Sequence, residues 1–129
     1  MAGTIVANTI NTDTGVFTSN NAYTGVSKAW VQFVGSTVAI NGSFNVSSIT
    51  RNSTGYYTIN FATALSNANY SMVGNAAYVP STAAVFVEVF TNSAGASVAP
   101  TTTSATAYVV GWNGVSYDSP YVNIAVFGA

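Results

Sequence analysis

Histidine and cysteine are absent from this 129-residue sequence and charge is nearly so, with 2 Lys or Arg, 3 Asp or Glu and a formal net charge of −1. Each absence removes a class of function. Without imidazole or thiol there is no side chain that ordinarily titrates near neutrality, no thiolate nucleophile, no disulfide and no soft-metal ligand. A net charge this small gives little long-range field of the kind that nucleic-acid and anionic-membrane binding use, so neither partner is expected. The most apolar window, 83–90, is short and contains Glu88. It falls well below the roughly 20 apolar residues of a spanning helix, so no membrane insertion is expected. Residues 1–8 have neither a basic n-region nor a sustained apolar h-region, and do not read as a signal peptide. What remains favours packing, shape and neutral hydrogen bonds: no enzyme activity, no cofactor and no metal are expected.

What is present points to β structure. Thr, Ser, Asn, Gly and Val abound while Leu, Glu, Lys and Arg are scarce, so local propensity favours strands and turns, with almost no helix. In 27–34, Ala29, Val31 and Phe33 alternate with Lys28, Trp30 and Gln32, the period-two pattern of a half-buried strand. Segments 44–51 and 56–62 flank Asn52-Ser53-Thr54-Gly55 as a hairpin, in whose second arm Tyr57, Ile59 and Phe61 face opposite to Tyr56, Thr58 and Asn60. Segments 3–10, 69–79, 83–91, 104–112 and 121–128 complete about eight strands, with Asn11-Thr12-Asp13-Thr14-Gly15 as a turn and 17–25 irregular. The expected fold is all-β, an antiparallel, jelly-roll-like β-sandwich. It forms one domain overall: 27–129 as the sandwich, and 1–26 as an N-terminal strand and tether that can be exchanged between subunits.

Candidate chemistry is sparse. The carboxylates are Asp13, Glu88 and Asp118, and a two-carboxylate hydrolase needs a pair of them held roughly 5 to 9.5 Å apart across a cleft. Asp13 and Asp118 lie in Thr-Asp-Thr-Gly and Tyr-Asp-Ser-Pro, where a short acceptor side chain is an ordinary turn device. A serine nucleophile has only Lys28 as a base and no supporting motif. No spaced acidic loop marks a calcium site. Asn-x-Ser/Thr matches at Asn41, Asn45, Asn52 and Asn69 are expected by chance in such a sequence.

Strand 83–90 places Val85, Val87 and Val89 on one face and Phe86, Glu88 and Phe90 on the other, so both faces are largely apolar. That pattern fits either a subunit interface or a central strand covered on both sides. Trp30 is assigned to an interface or capped edge ahead of a ligand site. The interface set is therefore Trp30, Phe86, Glu88 and Phe90. Loops 35–37, 93–97 and 115–119 present neutral polar groups, with Tyr117 and Asp118 as ligand-facing candidates suited to neutral glycans. So few charges leave a free monomer poorly protected against association, and a homo-oligomer is expected.

Three segments carry a resemblance: Ser27-Lys28-Ala29-Trp30-Val31-Gln32-Phe33, Gly42-Ser43-Phe44-Asn45-Val46-Ser47-Ser48-Ile49-Thr50-Arg51, and Gly55-Tyr56-Tyr57-Thr58-Ile59-Asn60-Phe61. They resemble the small β-rich virion modules of tailed bacteriophages, frequent in cyanobacterial and other aquatic phages and usually labelled tail fibre or structural protein. The opening Ile5-Val6-Ala7-Asn8-Thr9-Ile10-Asn11-Thr12-Asp13-Thr14-Gly15, the Asn67-Ala68-Asn69-Tyr70 element and the closing Val122-Asn123-Ile124-Ala125-Val126-Phe127-Gly128 are similar as well, so the likeness covers nearly the whole chain. Lys-Ala-Trp-Val and Phe-Asn-Val-Ser-Ser-Ile-Thr are its more specific pieces. The resemblance implies a virion location, a trimeric appendage contacting other virion proteins, and host attachment through a surface glycan rather than catalysis. Family-like segments commonly sit at the end of a longer fibre, whereas this sequence is short and lacks a shaft. A capsid decoration or cement protein and a lectin-like carbohydrate-binding domain are the alternatives.

Overall fold

The computed structural model describes residues 9–12, 15–18, 25–77 and 84–128. Ten strands run through them: β1 Thr9–Thr12, β2 Gly15–Thr18, β3 Ser27–Phe33, β4 Ile40–Phe44, β5 Val46–Ser53, β6 Tyr56–Phe61, β7 Tyr70–Ala76, β8 Val85–Val89, β9 Ser104–Gly111 and β10 Val122–Gly128. Strands β1 and β2 pair antiparallel as a two-stranded sheet. Most of the expected exchange strand, 3–8, lies outside the described residues, and β2 carries regular pairing into Phe17 and Thr18, where irregular chain was expected. The other eight strands form two four-stranded antiparallel sheets, ordered β4-β3-β10-β7 and β5-β6-β9-β8. They pack face to face as the expected β-sandwich.

Alternation explains the packing. Strand β3 buries Ala29, Val31 and Phe33, β10 buries Val122, Ile124 and Val126, and β6 buries Tyr57, Ile59 and Phe61, all within one apolar cluster drawn from both sheets. The sheets are locked by aromatic edges: Phe33 meets Tyr57 at 5.0 Å and 76°, and Phe61 meets Tyr70 at 5.9 Å and 76°. Such T-shaped pairs each add about 0.5–1.5 kcal/mol beyond the area they bury. Gly74 lets β7 approach the opposite sheet, since a Cβ there would stand 2.9 Å from Val87 Cγ1 on β8, and 2.7 Å from Ile124 Cδ1 on the neighbouring β10.

One residue, Asn45, separates β4 from β5, so a single ribbon turns from one sheet into the other. Its φ of 53° is a left-handed conformation that Asn tolerates better than most residues. The side chain then stitches the corner: Nδ2 donates to the Lys28 and Thr63 carbonyls at 3.1 Å each, and Oδ1 accepts from the Thr63 N–H at 2.8 Å. The expected strand 44–51 is thus divided at Asn45, and the count of eight is completed by β4 rather than by 3–10.

Strand β8 is the edge of its sheet among the described residues, not a covered central strand. The strand buried on both faces is β9, where Ala105, Ala107 and Val109 join the core while Thr106, Tyr108 and Val110 are buried on the opposite side at 8%, 7% and 9% exposure.

Candidate functional site

Strands β3, β7 and β10 alternate, and their outward positions fall into register. Trp30 pairs across with Phe44 on one side and Ala125 on the other, and Ala125 pairs with Val73. One row, Phe44–Trp30–Ala125–Val73, therefore crosses the whole sheet. Phe44, Trp30 and Val73 are exposed by 55%, 43% and 53%, unusual for side chains this apolar. Two residues along each strand, Gly42, Gln32, Asn123 and Asn75 make the adjacent row by the same pairings. An apolar row and an amide row thus lie side by side on the outer face.

Between Trp30 and Val73 the small side chain of Ala125 leaves a groove of about 500 Å³, bordered by Gln32, Asn75 and Asn123. The Trp30 indole leans toward β4: Cζ3 and Cη2 lie 3.4 Å from where a Cβ on Gly42 would stand. Gln32 Nε2 donates to Asn123 Oδ1 at 2.8 Å. In either amide orientation this pair leaves one carbonyl acceptor and one amino donor unspent. Among the described residues no charged side chain lines the groove.

The other residues singled out in the sequence are placed elsewhere. Phe86 and Glu88 are exposed on the outer face of β8, with Glu88 in register with Tyr108. Phe90 does not share that face. It lies past the strand end with φ 57°, and its ring packs against the core and meets Tyr70 at 5.8 Å. The left-handed backbone at Phe90 reverses the alternation that a strand through 91 requires.

Asp118 is engaged within the fold. Its carboxylate accepts from Tyr57 Oη at 2.6 Å, the Gly55 N–H at 2.9 Å, Arg51 Nε at 3.1 Å and Arg51 Nη2 at 2.5 Å. It clamps the β9–β10 loop to the β5–β6 turn, where Gly55 holds φ 71° and has no room for a Cβ, which would stand 2.5 Å from the Val109 carbonyl. Burial pushes the Asp118 carboxyl up, but hydrogen bonds from Arg51, Gly55 and Tyr57 outweigh it and hold the group below its usual range. Burial first, and the bond to Asp118 second, push the Tyr57 hydroxyl far above its ordinary value. The neighbouring Ser119, with 0% exposure, directs its hydroxyl to the Ala77 and Tyr121 carbonyls at 2.7 and 3.0 Å. Tyr117 Oη receives Asn113 Nδ2 at 3.1 Å on the same loop.

The third carboxylate, Asp13, lies outside the described residues. Glu88 faces outward on β8, whereas Asp118 is bound to the inward-facing Tyr57. The described residues contain no group of three or more His, Cys, Asp or Glu able to hold a metal ion. The sequence signal for the groove was the outward set Lys28, Trp30 and Gln32. Its partners Val73, Asn75, Asn123 and Ala125 come from strands whose pairing no local pattern encodes. No family model, curated protein or solved structure matches the chain.

Proposed function

We propose that this chain is a non-catalytic attachment module of a bacteriophage virion, a trimeric β-sandwich set in a tail fibre or similar appendage. The observation that carries the binding role is the outer face of the β4-β3-β10-β7 sheet, where exposed Phe44, Trp30 and Val73 run beside Gln32, Asn123 and Asn75. An open row of large apolar groups on a sheet whose other face is the core marks a contact surface. The virion setting rests on the resemblance of the Lys28–Phe33 and Phe44–Thr50 segments. The scarcity of charge supports a chain that lives in an assembly. The exposed face of β8, with Phe86 at 54% exposure on an edge strand, is the surface offered for that assembly.

Gold-labelled antibody against the protein, applied to intact particles and imaged by electron microscopy, tests the reading. Label on tail appendages is the expected result. Label confined to the head shell between capsomers would instead establish a decoration protein, and absence from purified particles would end the virion reading altogether.

A further inference from the structure

Resting on the attachment reading, we infer that the groove between Trp30 and Val73 is a binding site for a neutral saccharide. Three features select that chemistry. An indole wall with 43% exposure offers a π face to which the C–H faces of a pyranose ring can pack. Beside it Gln32, Asn123 and Asn75 supply amide donors and acceptors on three adjacent strands, and hydroxyl groups are their natural complement. Among the described residues the lining contains no charge, so an anionic or cationic ligand meets no counter-ion there.

Size agrees. A groove of about 500 Å³ lies inside the range of roughly 300–1,000 Å³ typical of small-ligand sites. The site is built before any ligand arrives, because Gly42 seats the indole and the Gln32–Asn123 bond fixes two of the amides. Such preorganisation reduces the ordering cost of binding. A purely apolar protein partner covering this face would leave the amide row without hydrogen bonds, which disfavours it. Placing the sugar site on a sheet face differs from the loop candidates Tyr117 and Asp118. Asp118 accepts from Tyr57, Gly55 and Arg51 within the fold, whereas the Gln32–Asn123 pair spends only one donor and one acceptor on each other.

The test uses the full chain carrying Trp112→Phe, so that Trp30 is the sole indole, titrated by fluorescence with maltohexaose, cellohexaose, mannohexaose, chitohexaose and sialyllactose as probes. Saturable binding of at least one neutral oligosaccharide with a shift in Trp30 emission is expected, weakened about tenfold or more by Trp30→Ala and several-fold by Gln32→Ala. Both side chains are on the outer face, and unchanged melting curves will verify folding of each variant. Three results would overturn the site: no binding of any neutral probe up to about 10 mM, binding that survives Trp30→Ala, or preference for sialyllactose. Conversion of an oligomer to monomer by Trp30→Ala would also overturn it, by showing that a second copy covers this face. These outcomes leave the particle-labelling result untouched, so the failure of the groove and the failure of the attachment reading are separable.

Discussion

Asp118→Ala is the perturbation whose outcome the structure fixes most tightly. It removes the acceptor of two donors inside the fold: the hydroxyl of Tyr57, a residue with 0% exposure, and the Gly55 N–H. An unsatisfied buried donor costs about 1–3 kcal/mol, so the pair together should cost about 2–5 kcal/mol. The Arg51 guanidinium is open enough to solvent to be rehydrated and adds little. At roughly 3–5 °C per kcal/mol for a chain of this size, the melting temperature should fall by about 6–25 °C. Asp118→Asn keeps one acceptor oxygen and should lose about half as much.

A pH series sharpens the test. Because the folded carboxyl titrates below its unfolded value, its contribution is complete above about pH 4 and is lost as the pH falls through the folded value. With only three side-chain carboxylates in the chain, Asp118→Asn should visibly flatten the acid limb of the stability profile. Urea unfolding at fixed protein concentration, from about pH 2 to pH 7, provides both readings. Melting of Asp118→Ala within about 1 °C of the parent, or an acid limb unchanged in Asp118→Asn, would refute the clamp.

The remaining predictions concern other parts of the fold. Asn45→Ala, which keeps the left-handed φ but loses the bonds to Lys28, Thr63 and the Thr63 N–H, should cost about 2–3 kcal/mol in chemical denaturation. Thr106→Val should be neutral or stabilising by up to about 1–2 kcal/mol in the same assay, because Thr106 Oγ1 is buried without a hydrogen-bond partner among the described residues. Multi-angle light scattering at micromolar concentration should give three times the 13.2 kDa protomer mass, and a stable monomer would contradict the trimer.

Where one face of a strand meets the core and the other meets solvent, the sequence announces it. Ala29, Val31 and Phe33 in β3 and Tyr57, Ile59 and Phe61 in β6 were readable because burial alternates residue by residue. Strand β4 was not, since Ile40–Phe44 is exposed or half-exposed throughout and exists by pairing with β3 rather than by its own pattern. Phe90 was misassigned because nothing in Val-Phe-Val-Glu-Val-Phe signals a positive φ at its last residue. Asp118 was read as an acceptor within its own turn, but its partner Arg51 stands 67 positions away, and only the assembled fold brings them together. The groove is hidden for the same reason: Gln32 and Asn123 are 91 residues apart.

That separation has a kinetic consequence. Strand β10 sits between β3 and β7, so the β4-β3-β10-β7 sheet stays split into two pieces until Val122–Gly128 has left the ribosome. Pairings across such long intervals close slowly. A nascent chain stalled before residue 122 therefore has no floor beneath Trp30 and nothing to hold Gln32 in place. Occupancy of the cleft would therefore report that β10 had inserted between β3 and β7.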